Sequence, residues 1–160
     1  MIKRIKQDNY QYKHPLGSIV VDQVEVGISE QGRRSLPAHE IERLNRLVVL
    51  NFLRENYKKS ITDEEFTLST SSVRSIMVFL GVNQTEFGHL IGCQKSKVSK
   101  ILRSEQQISK PQAQLAIERM AMELARPGAT RKLLGDEGVC LGSTDESILK
   151  ALNEIRYAAA

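Results

Sequence analysis

The twenty residues from Gln84 to Arg103 constrain the fold of this chain more than any other stretch. Gly88 falls inside an otherwise helical pattern, where glycine costs about 1 kcal/mol relative to alanine, so a helix that crosses closely at this point is expected. Gly92 falls where the chain must leave that helix with a positive φ, which glycine adopts without strain. The spacing predicts two short helices that cross, and the apolar positions between them are Phe87, Ile91, Cys93, Val98 and Ile101.

Positive charge is concentrated in the second of these two helices. The ten residues from Gln94 to Arg103 include four cations and no acid, and residues 71–127 carry eight basic and four acidic residues. A compact basic patch commonly binds nucleic acid, because DNA is a dense line of phosphates. A solvated helix face is an equally common origin of a lysine cluster, so charge alone leaves both interpretations open.

Composition places the chain among ordinary globular proteins. It has 160 residues, of which 41% are hydrophobic and 26% charged, and its formal net charge is +4. A chain of this length buries about 70% of the surface that it exposes when unfolded, so its one or two domains need no disulfide or metal. Aromatic residues make up 5% and tryptophan is absent, which disfavours a carbohydrate cleft or a stacking platform for single-stranded nucleic acid.

The N-terminal part of the sequence predicts a small α+β unit. The β-branched residues from Ser18 to Ile28 predict a strand, and the glycine turn at Glu30–Arg33 is compatible with a hairpin. Pro37 opens a helix predicted over Ala38–Tyr57, whose apolar side is wide enough for a domain core or a dimer contact. The polar residues Lys58–Ser71 are predicted to connect this unit to the next domain.

Caps and apolar periods predict further helices after this connection. Asn83 can cap a helix that has Glu86 at its third position, and Ser109 with Gln112 forms the same capping-box pattern. The predicted elements are helices over Ser72–Leu80, from Asn83, over Lys95–Arg103 and from Ser109 to Pro127, a loop over Gly128–Gly142, and an amphipathic helix that follows Ser143.

The segment from Gln84 to Arg103 resembles the helix-turn-helix of the Xre/Cro family of phage and bacterial repressors. That family has a small residue at the fifth place, glycine at the ninth, and apolar residues at the fourth, eighth, tenth, fifteenth and eighteenth, all of which this segment reproduces. The flanking helices resemble the family's bundle of four or five helices. The resemblance implies an Xre/Cro-like DNA-binding bundle at 71–127. With the patterns described above, we expect a mainly α fold that adds a small N-terminal α+β unit and linker for dimerisation or partner binding at 1–70, and a C-terminal loop and helix at 128–160.

The resemblance also implies which residues contact DNA. The family's recognition helix reads the major groove with its first turns, which implies base contacts by Lys95, Ser96 and Lys100. A lysine can donate to O6 and N7 of guanine, whereas a serine specifies little by itself. Gln94 stands where the family usually has a serine or threonine cap, and Ser104 where it usually has glycine. Phosphate contacts are implied for Asn83, Gln84, Gln94, Lys97, Ser99, Arg103 and Lys110.

These residues predict a sequence-specific regulator that binds double-stranded DNA as a dimeric repressor on an inverted repeat. One such module makes too few base contacts for selectivity, and two half-sites about one helical turn apart remedy this. Candidates for the homodimer contact are Leu115 with Met122, the broad N-terminal helix and the closing helix. The alternative is an antitoxin that binds a toxin and its own promoter, because the domain order is loosely similar to MqsA-type antitoxins, although their zinc-binding cysteine pairs are missing here.

No catalytic or metal-binding constellation stands out in the sequence, so no enzyme activity, cofactor or metal site is predicted. Cys93 is predicted to be a small buried hydrophobe, and Cys140 lies in a predicted loop. The pairs His89 with Cys93 and His39 with Glu42 lack a third ligand at motif spacing. The longest apolar stretch is far shorter than the about 20 residues that cross a membrane, and no secretory signal is recognised, so a cytoplasmic protein is expected.

Overall fold

A computed structural model describes residues 1–135 of the chain. The helix predicted after Ser143 and the loop position predicted for Cys140 lie outside these residues. The described part is a mixed structure in which helix predominates, with six helices and two small antiparallel sheets. The chain divides into two compact units, Met1–Val49 and Leu50–Ala160, and the domain limits predicted at residues 70 and 127 remain predictions.

Five short strands form the sheets of the N-terminal unit. They are β1 Lys3–Gln7, β2 Tyr10–Tyr12, β3 Ile19–Val21, β4 Val24–Ile28 and β5 Arg34–Ser35. β4 lies between β1 and β5, with Ile5 opposite Val26, and β2 pairs with β3 in a second sheet. The turn at Glu30–Arg33 joins β4 to β5 as a hairpin, and Gly32 takes a φ of 75° in it. The predicted hairpin is therefore confirmed.

The single strand predicted over Ser18–Ile28 was wrong, because the chain breaks it into β3 and β4. Gln23 adopts a left-handed φ of 58°, and Asn9 does the same with a φ of 53° between β1 and β2. Hydrogen bonds join the turn at Asn9 to the turn at Gln23. The Asp8 carboxylate accepts the Gln23 N–H at 3.0 Å, and the Asp22 carboxylate accepts the Asn9 N–H at 2.8 Å. This reciprocal pairing depends on two distant segments and has no signature in either one alone.

The helices agree with the predicted order but differ at several ends. They are α1 Ala38–Thr62, α2 Thr70–Leu80, α3 Gln84–Ile91, α4 Lys95–Leu102, α5 Lys110–Ala125 and α6 Ala129–Gly135. The prediction that α1 ends at Tyr57 was wrong by five residues, so the predicted connection Lys58–Ser71 is partly helical. Within this extension Ser60 is buried, and its hydroxyl donates to the Tyr57 carbonyl at 2.6 Å.

The core of the N-terminal unit lies between β4 and the first half of α1. Val24 and Val26, which alternate with polar residues as a half-buried strand requires, pack with Leu44 and are almost fully buried. Partly buried side chains surround these three, among them Tyr12, whose hydroxyl donates to the Asn45 side-chain oxygen at 2.6 Å. The helix is thereby held against the sheet by both apolar contacts and a polar one.

A buried carboxylate joins the same helix to β4. The Glu40 carboxylate accepts the Glu25 backbone N–H at 2.8 Å and the Arg43 guanidinium at 2.8 and 3.0 Å. The hydrogen bond from Arg43, more than any other contact, lowers the pKa of Glu40 from 4.5 to about 2, while burial opposes it. A carboxyl group with a depressed pKa stabilises the fold above its unfolded pKa, and this contribution is lost as the pH falls through the folded pKa.

We expect Glu40→Gln to lower the free energy of unfolding by about 1 to 3 kcal/mol at pH 7, because Arg43 loses its partner and is itself partly screened by solvent. The difference between wild type and variant should shrink as the pH falls from about 4.5 toward about 2. Urea unfolding followed by tyrosine fluorescence measures both values. An equal difference at pH 7 and pH 3 would contradict this account of Glu40.

The C-terminal unit has its own core, to which α1, α2, α3 and α5 contribute fully buried side chains. Phe87, Ile76, Ile117 and Met120 are fully buried. The helix pairs α3 with α4, α3 with α5, and α2 with both α4 and α5 are in contact. None of the helices within residues 1–135 is long and apolar enough to cross a membrane.

Two predictions about α5 and the residues that follow it were wrong. The capping box at α5 is only half formed, because Ser109 accepts the Gln112 N–H at 3.4 Å but the Gln112 side-chain oxygen is buried without a hydrogen-bond partner among the described residues. Residues Ala129–Gly135, predicted as loop, form α6. The Glu123 carboxylate explains this helix, since it accepts the N–H of Gly128 at 3.1 Å and so caps the start of α6 from the preceding helix.

Candidate nucleic-acid interface

The N-terminus of α3 carries the predicted capping box, which is confirmed. The Asn83 side chain accepts the Glu86 N–H at 2.8 Å, and the Glu86 carboxylate accepts the Asn83 N–H at 3.1 Å. Asn83 is exposed, and Gln84 begins the helix in a half-buried position. The first N–H groups of a helix have no partner within it, so this end of α3 presents donors suited to an anion.

The turn between α3 and α4 depends on the two glycines. Gly92 has a φ of 75°, and its N–H and that of Cys93 both donate to the Gly88 carbonyl, the latter at 2.9 Å. A side chain at Gly88 would place its Cβ 2.5 Å from the Cys93 backbone oxygen. The expected close approach at Gly88 is therefore confirmed, but its predicted cause was wrong, because the turn itself and not a crossing helix excludes the side chain.

One face of α4 is polar and cationic. At 100° per residue, the buried Val98 and Ile101 lie on one side of the helix, and the positions of Lys95, Ser96 and Lys100 lie on the other. These three side chains are exposed, and Ser99 and Arg103 fall between them in the same arc. No acidic residue lies within α4, so this surface, which we call the α4 face, is Lys95, Ser96, Ser99, Lys100 and Arg103.

The C-terminal end of α4 is held by α2. The Thr70 hydroxyl donates to the Ile101 carbonyl at 3.1 Å, and the Arg74 guanidinium donates to the Leu102 carbonyl at 2.7 Å. Ser104 then leaves the helix with a left-handed φ of 59°, and its hydroxyl lies 3.0 Å from that of Thr70. The Ile101 and Leu102 carbonyls thus each accept a hydrogen bond from a side chain of α2, which fixes the direction in which the α4 face points.

The other residues predicted to contact phosphate are placed in different ways. Gln94 precedes α4 and makes no cap hydrogen bond with its side chain. Lys97 is half-buried, and its charge opposes the rise in the pKa of Cys93 that burial causes. Arg103 pairs with Glu105 at 3.2 Å, so part of its charge is compensated. Lys110 begins α5 and donates to the Ile61 carbonyl at 3.4 Å, which ties it to the end of α1.

Two arginines near α3 and α4 escaped the sequence analysis. Arg74 supports the end of α4, and Arg131 of α6 donates to both carboxylate oxygens of Glu86 and to the Gly81 carbonyl. Their partners lie 28 to 50 residues away in sequence, and Arg131 stands in a stretch predicted to be loop. No local pattern could have identified either residue.

The remaining candidates from the sequence do not form a site. Cys93 is half-buried rather than buried as predicted. His39 lies 2.9 Å from the Glu25 carboxylate, which gives it a partner other than Glu42. Within residues 1–135, no three His, Cys, Asp or Glu side chains come close enough to hold a metal ion. Leu115 and Met122, named as dimer candidates, are both half-buried on α5.

Comparison with known proteins adds no relative. No protein-family model, no curated protein and no solved structure matches the chain. The function is therefore inferred from the residues of this chain and from the geometry of its helices.

Proposed function

We propose that this protein is a sequence-specific regulator of transcription that binds double-stranded DNA. The observation that carries this proposal is the α4 face, which presents exposed lysines on a helix that contains no acidic residue. The turn at Gly92 connects this helix to α3, whose N-terminus has a complete capping box. An α-helix fits the major groove of B-DNA, and a cationic helix face is attracted to the phosphates along that groove. The order and contacts of α2 to α5 support an Xre/Cro-like bundle.

In this proposal the α4 face lies in the major groove. Lys95, Ser96 and Lys100 contact base edges, and the two ammonium groups donate to guanine O6 or N7. Asn83 and Gln84 hold a phosphate at the N-terminus of α3 and set the register of the protein on the duplex. Further phosphate contacts come from Gln94, Lys97, Ser99, Arg103 and Lys110.

The regulator acts as a homodimeric repressor on an inverted repeat. A single α4 offers few base contacts, and a dimer places two copies on half-sites about 34 Å apart, one turn of the double helix. Leu115 and Met122 are half-buried apolar side chains on α5, which suits a contact between copies.

A fluorescence-anisotropy titration tests the proposal. We expect the full chain to bind DNA from upstream of its own gene at least about 1,000-fold more tightly than scrambled DNA of equal length, with both affinities falling as salt rises. Protection of two half-sites one turn apart in a footprint would support the dimer. Equally weak binding to this DNA and to a selected pool of random duplexes would contradict the proposal.

A second function is favoured by the N-terminal unit, which has a core separate from that of the C-terminal unit. An antitoxin uses one unit to bind a toxin and the other to bind its own promoter. In that case the full chain should co-purify with the product of an adjacent gene, and a chain with Val24→Asp in the N-terminal core should lose this partner. A free-standing repressor would co-purify with no such product.

A further inference from the structure

A groove of about 550 Å³ lies beside the N-terminus of α3, within the C-terminal unit. Asn83 and Glu86 line it from α3, Arg74 from α2, Leu102 from the end of α4, and Arg131 from α6. It therefore adjoins the position where the proposed function places a DNA phosphate.

The Arg131 guanidinium is held by hydrogen bonds on one side and is accessible to solvent on the other. Its guanidinium donates to both carboxylate oxygens of Glu86 and to the Gly81 carbonyl, while 55% of the side chain remains exposed. A guanidinium has five N–H donors, and these three contacts leave two for another acceptor. Arg131 can thus bind an anion without giving up the contacts that hold it.

The charges in the groove also favour an anion. Glu86 alone would repel a phosphate at the N-terminus of α3, and the hydrogen bond from Arg131, its main partner, holds the pKa of Glu86 below its ordinary value. The carboxylate is ionised at neutral pH, and the Arg131 guanidinium compensates its charge. Arg74 and Arg131 are positive and Glu86 is negative, so the titratable side chains that line the groove carry a net charge of +1.

We propose that Arg131 contacts a phosphate of the DNA backbone next to the one held by Asn83 and Gln84, so that α6 enlarges the DNA-binding surface beyond α2 to α5. This inference rests on the proposed function. A purely structural role, in which Arg131 only ties α6 to Glu86, makes different predictions about salt and about Glu86.

Salt dependence separates the two roles. We expect Arg131→Ala to weaken binding to the operator, that is the DNA from upstream of its own gene, and to scrambled DNA alike, by about 3- to 10-fold near 0.15 M salt, and to reduce the slope of log affinity against log salt by about 1. Arg131→Lys keeps the positive charge, so the slope of log affinity against log salt should equal that of the wild type. Lys132→Ala is the matched control, because Lys132 is the exposed neighbour on α6, does not line the groove, and removes the same charge.

The variant Glu86→Gln provides a second measurement that does not depend on losing Arg131. Glutamine at this position can still form the capping box, and removing the negative charge should tighten DNA binding by about 2- to 5-fold. If the Arg131–Glu86 ion pair had only a structural role, Glu86→Gln would instead weaken DNA binding, because the pair that holds α6 to α3 would be lost. A slope unchanged in Arg131→Ala, or weaker binding by Glu86→Gln, would overturn this inference while the selective binding of the wild type stands. A wild type that binds no DNA selectively would overturn the proposed function itself.

Discussion

The double variant Lys95→Glu/Lys100→Glu is expected to bind the operator at least about 100-fold less tightly than the wild type. Each lysine that donates to a base is worth about 1 to 3 kcal/mol, and two reversed charges add repulsion from phosphate. The substitution Lys95→Glu places a carboxylate at the N-terminal end of α4, where the positive end of the helix dipole stabilises an acidic side chain. The loss of binding at this position therefore cannot come from a less stable helix.

Single substitutions refine this expectation. Lys95→Ala and Lys100→Ala should each weaken binding to the operator and blur the base preference, whereas Gln84→Ala should weaken binding to all DNA alike. Lys3→Glu/Lys13→Glu is the control for the net charge of the double variant, since Lys3 and Lys13 are exposed lysines of the N-terminal unit. Anisotropy titrations against the operator and single-base variants measure each effect. Near wild-type binding by the double variant would contradict the placement of the α4 face in the major groove.

The variant Gly88→Ala is expected to lower the free energy of unfolding by about 1 to 3 kcal/mol and to weaken DNA binding. Its Cβ would lie 2.5 Å from the Cys93 backbone oxygen, an atom that cannot move alone because the Cys93 N–H is bonded to the Gly88 carbonyl. The turn must shift, and α4 shifts with it. Alanine is otherwise the better helix former by about 1 kcal/mol, so the sign of the effect is informative.

Urea unfolding followed by circular dichroism measures this change, and anisotropy measures the effect on DNA. Gly135→Ala serves as the control, because nothing lies within 4 Å of a Cβ added at the end of α6, and its effect should stay within about 0.5 kcal/mol. A Gly88→Ala chain as stable as the wild type would show that the turn accommodates a methyl group, and would remove the packing argument for the α3–α4 geometry.

Features that depend on neighbouring residues were predicted well from the sequence. The capping box of Asn83 and Glu86 and the left-handed Gly92 are formed as expected. A cap needs only side chains within three residues, and a positive φ needs only the absence of a Cβ. For the same reason the buried positions Phe87, Val98 and Ile101 could be read from helical spacing.

Features that depend on distant partners were missed or misjudged. β1 is a polar segment whose strand character comes from pairing with β4, about twenty residues later. The start of α6 is capped by Glu123, a residue of the preceding helix. The side-chain oxygen of Gln112, which is placed to complete a capping box, is instead buried without a hydrogen-bond partner among the described residues.

The sequence by itself determined the order of the helices from α2 to α5, the capping box of α3, and the apolar residues between the helices, since these follow from short-range hydrogen bonds and from the 3.6-residue period. It also determined which helix carries the lysines. Only the tertiary structure decided that Gly88 faces the Cys93 carbonyl, that Arg74 holds the end of α4, and that Arg131 reaches Glu86. These contacts join residues whose proximity arises from packing the whole unit, and no local pattern encodes them.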